Sequence, residues 1–298
     1  MPLSPIRVCS LLALAAPSLG GCGDTFVDPF LRDASALSVY GVLESGFANE
    51  PPTEQTIRVQ SVRTNAEPPT DPDDPSLDYR ITVTSFDTFS GDSTRWQQRR
   101  TQFSDGTYGD LFSATFRPRP GGSYRIVVRR DDGRVAVAGV AIPDDEEGTV
   151  LDWELREPRR QVIERVAWET LGLDNASAVV EMSCGLGCGS AIRFEDLPVA
   201  QLDDGRFVAE YPLQEARRRG CIENTPPPTE ANPTPGCPPL TLDRVRVRAR
   251  LLGPEWARAD DPTQTTVENG YGFVGGASLA EKIYRPSASA AEAAGLRY

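Results

Sequence analysis

The stretch Tyr124-Arg125-Ile126-Val127-Val128-Arg129-Arg130-Asp131-Asp132-Gly133-Arg134-Val135-Ala136-Val137-Ala138-Gly139-Val140-Ala141-Ile142 decides the fold class. Tyr124, Ile126 and Val128 alternate with neighbours that include Arg125 and Arg129, the period of a half-buried strand. Asp132-Gly133 supplies residues that tolerate positive φ, and the apolar run resumes at Val135, which predicts a β-hairpin. Working outward, the same alternation broken by Gly, Pro, Asp and Asn places strands at 36–43, 56–62 and 79–86, and puts Phe112, Ala114 and Phe116 on one face. Pro143 and the acidic run Asp144 to Glu147 mark a boundary. Beyond it, strands are expected at 149–155, 162–169, 177–183, 190–194, 206–211 and 241–252, with one short helix from Leu213 to Arg219 stopped by Gly220. The expectation is an all-β chain of two units: an antiparallel domain over 36–143 and a second β-rich domain with a short helix over 149–285. Residues 286–298, rich in Ala and Ser, are expected to form a flexible tail.

The N-terminus carries an address. One cation, Arg7, precedes an apolar run from Val8 to Leu19 that is too short to span a bilayer, as in the hydrophobic region of a signal peptide. The run ends in Leu19-Gly20-Gly21-Cys22, the Leu-small-small-Cys box of bacterial lipoprotein signals, whose cysteine thiol receives a diacylglycerol. Residues 1–21 are therefore expected to be a cleaved signal, Cys22 a lipidation site, and 22–35 a tether. Sorting resembles a rule in which Asp after the cysteine retains a lipoprotein at the inner membrane; Gly23 stands there, so the outer membrane is expected, with the leaflet open.

Composition narrows the chemistry. The 298 residues contain 31 Lys and Arg against 43 Asp and Glu, a net charge of −12, which disfavours a nucleic-acid partner. Histidine is absent, so Ser-His-Asp triads, Cys-His dyads, HExxH zinc sites and histidine general bases cannot be built from this chain. No cofactor is expected. Catalysis, if any, would rest on carboxylates, tyrosine, arginine or a bound ion.

Four of the six cysteines lie in the body: Cys184, Cys188, Cys221 and Cys237. An exported chain makes disulfides the default, and three connectivities are open. The favoured one joins Cys184 to Cys188 across Gly185-Leu186-Gly187 and Cys221 to Cys237 across a Pro-rich segment. A four-thiolate zinc site is the alternative, but the first spacing is looser than paired zinc ligands use and the second pair is too far apart. Asp71, Asp73, Asp74 and Asp78 crowd carboxylates into one loop as a calcium site would; two prolines and a missing glycine break the ligand pattern, and a solvated acidic loop is the preferred reading. On 243–252, Arg244, Arg246, Arg248 and Arg250 share one face of a strand and could grip anionic groups. Their opposite face, Val245, Val247, Ala249 and Leu251, marks a core-backed strand whose arginines pair with cross-strand acids, the preferred reading again.

A resemblance rests on three segments. Val39-Tyr40-Gly41-Val42-Leu43, then Arg119-Pro120-Gly121-Gly122-Ser123-Tyr124-Arg125-Ile126-Val127-Val128 with a strand ending Ala141-Ile142-Pro143, resembles the Ig- or transthyretin-like β-sandwich of outer-membrane lipoproteins of unknown function. Asn269-Gly270-Tyr271-Gly272-Phe273-Val274-Gly275-Gly276, after Asp261-Pro262-Thr263-Gln264, is similar to the glycine-rich motif that closes those proteins. The glycines are expected to permit close backbone approach or bulges near a strand, with Tyr271 and Phe273 packed inward. The resemblance implies a sandwich for 36–143 and an association with TonB-dependent transporters, and it carries no catalytic residues. Three roles stay open: a lipid-anchored binding or accessory module of unidentified ligand, a structural or adhesive envelope protein, and a carboxylate-based hydrolase.

Overall fold

The computed structural model describes residues 37–47, 50–61, 69–184, 189–225, 236–259 and 264–298. The expectations for 1–21, for the tether 22–35, for Cys22 and for Cys188 lie outside them. Asp33–Tyr298 forms one compact unit.

The first part of the chain forms β1 (Leu37–Glu44), β2 (Thr53–Ser61), β3 (Ile81–Asp87), β4 (Ser93–Arg95), β5 (Gln97–Gln102), β6 (Tyr108–Phe116), β7 (Ser123–Arg130) and β8 (Val135–Ala141). Then follow β9 (Thr149–Val150), β10 (Glu154–Arg156), β11 (Gln161–Trp168), β12 (Leu173–Ser183), β13 (Gly189–Phe194), β14 (Val199–Gln201) and β15 (Phe207–Pro212). Helix α1 (Leu213–Asn224), β16 (Thr241–Leu252), β17 (Val267–Glu268), β18 (Gly270–Tyr284) and helix α2 (Ala288–Ala293) complete the described elements. The chain is all-β with short helices. None of the described helices is long and apolar enough to cross a membrane.

Three sheets result. The largest runs β13-β12-β16-β18-β1-β2-β6-β5; the second is β10-β11-β15-β14 with β9 on β11; the third is β17-β8-β7-β3-β4. The hairpin of Tyr124 to Ile142 appears as β7 and β8, with Tyr124 opposite Val140 and Val128 opposite Ala136. Alternation decides which face is buried. Ile126 and Val128 of β7 meet Val39, Ile57, Val59 and Phe112 of the large sheet, so the first core is a sandwich of the third sheet on the large one. A second core lies between β11 and β15 on one side and β12, β13 and β16 on the other, closed by α1 and α2.

The two cores fall mostly within 36–143 and beyond 149, but Val267 and Val274 pack in the first, and the two cores share one sheet. The shared strand is β18: Leu37 to Glu44 pair in parallel with Gly270 to Ala277, and Val245 to Leu252 pair antiparallel with Tyr284 to Ala277. Its Val274 lies in the first core and its Ala280 in the second. This strand went unread in the sequence because four of its first seven positions are glycine. Those glycines are what the packing needs. A Cβ at Gly272 (φ 109°) would stand 2.2 Å from the Val39 carbonyl oxygen, and one at Gly276 would stand 2.0 Å from that of Ala141. Close approach near a strand was the right expectation, but Tyr271 and Phe273 are only half-buried, because it is the alternate residue Val274 that enters the core.

A 3-10 turn at Pro254–Arg258 holds this crossing. Trp256 Nε1 and Gly253 N both donate to the Gly276 carbonyl oxygen, at 2.8 and 2.9 Å, and Ala141 N donates to Glu255 Oε1 at 2.8 Å.

Two further expectations are corrected. Gly220 does not stop the helix; α1 runs on to Asn224, and the missing Cβ admits Met182 Cε and Leu240 Cδ1, which would lie 2.7 and 3.2 Å from it. Residues 286–298 are not a frayed tail. Ser287 caps α2 by accepting from Ala290 N, and Ala290, Ala291, Ala294 and Leu296 are buried in the second core. Alanine's small volume lets so short a helix lie close on the sheet.

Candidate functional site

Cys221, on α1, and Cys237, before β16, are joined in a disulfide with Cα atoms 5.2 Å apart, as the spacing suggested. Cys184 is also disulfide-bonded. The Cys221–Cys237 bridge fastens the end of α1 beside Leu240 in the second core. Cys221→Ser in the full-length protein is expected to lower unfolding free energy by about 3 kcal/mol, from the loop-closure entropy restored to the unfolded chain. Urea denaturation measures this; an unchanged midpoint would show that the loop is not what the bridge constrains.

The four aspartates do not converge. Among the described residues no three His, Cys, Asp or Glu side chains are grouped so as to hold a metal ion. Asp71 Oδ1 accepts instead from Asp73 N at 3.0 Å, and Asp74 N donates to Asp71 O at 3.2 Å, so the loop folds on its own backbone. Leu77 is buried beneath it, and Arg100 donates to the Leu77 carbonyl while pairing with Asp110 at 3.2 Å. Asp78 stays exposed.

On β16 the arginine face meets acids from its neighbours. Arg244 Nε donates to Glu181 of β12 at 2.5 Å, and Arg248 Nε to Glu281 of β18 at 2.8 Å. Arg246 lies 3.7 Å from the same Glu281, and Arg250 bonds Glu44 of β1 at 2.7 Å and Asp174 of β12 at 3.1 Å. The guanidinium groups of Arg248 and Arg250 also lie over the rings of Phe47 and Trp256, at 4.3 and 5.6 Å. Val245, Val247, Ala249 and Leu251 fill the second core behind them. The arginines are spent on neutralising the sheet face, the cross-strand pairing that alternation implied.

A second set of polar groups is buried. Glu164, on β11, is 2% exposed and sits opposite Tyr211 of β15. Tyr284, at the end of β18, donates its hydroxyl to Glu164 Oε2 at 3.2 Å, and the Tyr211 hydroxyl lies 2.6 Å from that of Tyr284. Burial raises the Glu164 carboxyl to about 7, the Tyr284 hydrogen bond opposing only in part. Burial likewise raises both tyrosines far above the usual phenol value.

No protein-family model and no curated protein matches this chain. Among solved structures it is similar to a DUF4785 family protein of Legionella pneumophila, with 9% identity and a TM-score of 0.28 over 72% of this chain and 53% of that one. It is also similar to red sea bream transglutaminase, with 9% identity and a TM-score of 0.23 over 86% of this chain and 32% of that one. The chain therefore spans about half the length of the first and a third of the second. At these scores neither likeness carries an argument about fold or activity.

The Glu164 cluster was missed in the sequence although half its signal was present. Val162, Glu164, Val166 and Trp168 share one face of an alternating strand, and an acid on an otherwise apolar face marks a buried carboxyl. Its tyrosine partners lie on other strands, at separations alternation cannot bridge. A shallow surface depression of about 510 Å³ lies elsewhere, lined by Glu169, Thr170, Leu171, Asp204, Gly205 and Arg206. Arg206 there is already paired with Asp204 at 2.7 Å.

Proposed function

We propose that this chain is exported, cleaved before Cys22, and held by lipid on that cysteine at the outer membrane. Its β-rich body then serves as a binding or accessory module, with a TonB-dependent transporter as the partner. The observation that carries this reading is Leu19-Gly20-Gly21-Cys22 at the end of a short apolar run that begins after Arg7. The disulfide between Cys221 and Cys237 supports it, since such bonds persist in oxidising compartments. The missing histidine supports a non-catalytic role by removing the commonest acid-base chemistry. A structural envelope role is the second reading, favoured by the sheet face on which Arg244, Arg246, Arg248 and Arg250 are already matched by acids of the same chain.

Cys22→Ser tests the anchor. The native protein should fractionate with membranes and the variant with the soluble phase, both with the same urea midpoint, because Cys22 begins the expected tether. A variant that stays in the membrane fraction would remove the anchor from the proposal. Affinity purification from solubilised membranes then separates the two readings: co-purification of a TonB-dependent receptor supports the accessory role, and its consistent absence favours the structural one.

A further inference from the structure

Glu164, Tyr284 and Tyr211 join two sheets through the second core. Glu164 and Tyr211 belong to the sheet of β9, β10, β11, β14 and β15, and Tyr284 to the last position of β18 in the large sheet. Glu164 and Tyr211 are 2% and 0% exposed, and the two contacts, 3.2 and 2.6 Å, run in series from carboxylate to phenol to phenol.

We propose that these three groups form a protonation-gated latch that closes the β11–β15 sheet on β18 while Glu164 carries its proton and loosens when Glu164 ionises.

Two tyrosines face Glu164. From β15 it is Tyr211, and from β18 it is Tyr284. The charges on its own strand and on β10 and β15 are committed elsewhere: Arg156 bonds Glu210 at 2.6 Å and Glu154 at 3.3 Å, and Arg165 pairs with Glu154 at 3.6 Å. On α1, Glu215 is held by Arg218 and Arg219, at 2.6 and 3.0 Å, and Arg217 is exposed. On α2 the one charge, Glu292, is exposed. Lys282, two residues before Tyr284 on β18, is bound to Glu147 at 2.7 Å, and Arg285 donates to the Leu242 carbonyl at 3.2 Å. Among the described residues, therefore, no cation holds the charge of Glu164; one phenol donor does. A buried carboxylate with a single neutral donor is costly, whereas the protonated acid is not.

The direction with pH follows. The folded carboxyl lies near 7 and its ordinary value is 4.5. Below 4.5 the group is neutral whether the sheets are closed or parted, and the latch is at full strength. Between 4.5 and 7 the parted state releases a proton that the closed state keeps, so parting becomes easier with each step of pH. Above 7 both states are ionised and the effect levels. The gap of 2.5 units corresponds to about a 300-fold rise in the parting equilibrium, a factor of ten for each unit.

Hydrogen exchange followed by mass on the full-length, detergent-solubilised protein tests the latch, with rates corrected for their intrinsic pH dependence. Between pH 4.5 and 8, peptides from β11 and β15 should lose protection progressively, by up to about 300-fold, while peptides from β7 and β8 stay level. Glu164→Gln, which keeps an acceptor for Tyr284 and cannot ionise, should stay protected at pH 8. Tyr284→Phe removes the one donor to the carboxylate among the described residues, so the pH at which protection stops falling should move above that of the native protein. Unchanged protection of native β11 and β15 between pH 4.5 and 8, or a Glu164→Gln protein that loses protection as the native one does, would overturn the proposal. If Glu164→Gln fails to fold, Tyr284→Phe decides alone: an unshifted profile overturns the latch.

Discussion

Gly276→Val is expected to leave no stably folded body. A Cβ at this position would stand 2.0 Å from the Ala141 carbonyl oxygen, 2.7 Å from its carbon and 3.2 Å from Ile142 Cδ1. The first two obstacles are backbone, so no rotamer change relieves them. Nor can β18 move aside. Gly276 is paired with Leu43 of β1, Ala277 with Leu252 of β16, and the Gly276 carbonyl takes two hydrogen bonds from the Pro254–Arg258 turn. Separating β18 from β8 by the width of a side chain would open both cores at their junction. Substitutions that force this kind of overlap exceed about 4 kcal/mol, a large share of the roughly 5–15 kcal/mol that holds an ordinary domain together. Gly139→Ala is the control, since a Cβ on that exposed residue of β8 would meet nothing within 4 Å; it should stay within about 0.5 kcal/mol of the native protein. Urea unfolding of the two full-length variants checks the pair. A cooperative native-like transition for Gly276→Val would show that β18 does not cross β8 as closely as described.

Trp168→Ala should destabilise by about 3–5 kcal/mol, the range for removing a large aromatic side chain from a core that relaxes only in part. Trp168 is the largest of the fully buried side chains, 1% exposed, at the end of β11 opposite Phe207. Its indole N–H makes no hydrogen bond among the described residues, so the loss is one of volume and apolar contact and not of a polar partner. The shape of the transition carries further information. Because β12, β16, β18, β1 and β2 belong to one sheet, damage to the second core should be felt in the first. Urea unfolding of the variant should show one transition at a lower midpoint, coincident whether read by far-ultraviolet dichroism or by tryptophan fluorescence, to which Trp96 in the first core and Trp153 against the second both contribute. Two separate transitions would mean that the shared sheet does not couple the cores.

Legibility in the sequence tracked how far each element states its partner locally. The hairpin of β7 and β8 and the strand β16 were readable because both faces are written out: Ile126 and Val128 against Arg125 and Arg129, Val245 and Val247 against Arg244 and Arg246. Strand β5, Gln97–Gln102, was not, since an edge strand with no apolar face owes its form to pairing with β6. Strand β18 was hidden for the opposite reason. Its glycines lack side chains to alternate, and only the nearness of Val39 and Ala141 shows why they are there. Helix α2 carried its Ser287 cap in plain view, yet alanines signal neither burial nor exposure by themselves. Among the candidate site residues, Cys221 and Cys237 were legible as a pair from their spacing and the expectation of export, and the arginines of β16 from their alternation. Glu164 could have been found as an acid on an apolar face. Tyr211 and Tyr284 could not have been assigned to it, because long-range strand order brings them together.

The anchor is tested most directly at Cys22 itself. Mass analysis of the N-terminal peptide of the protein purified from membranes should find a chain beginning at Cys22, with a diacylglycerol thioether on its sulfur and no residue of 1–21 attached. An unmodified Cys22 still joined to Gly21 in the mature protein would contradict the account.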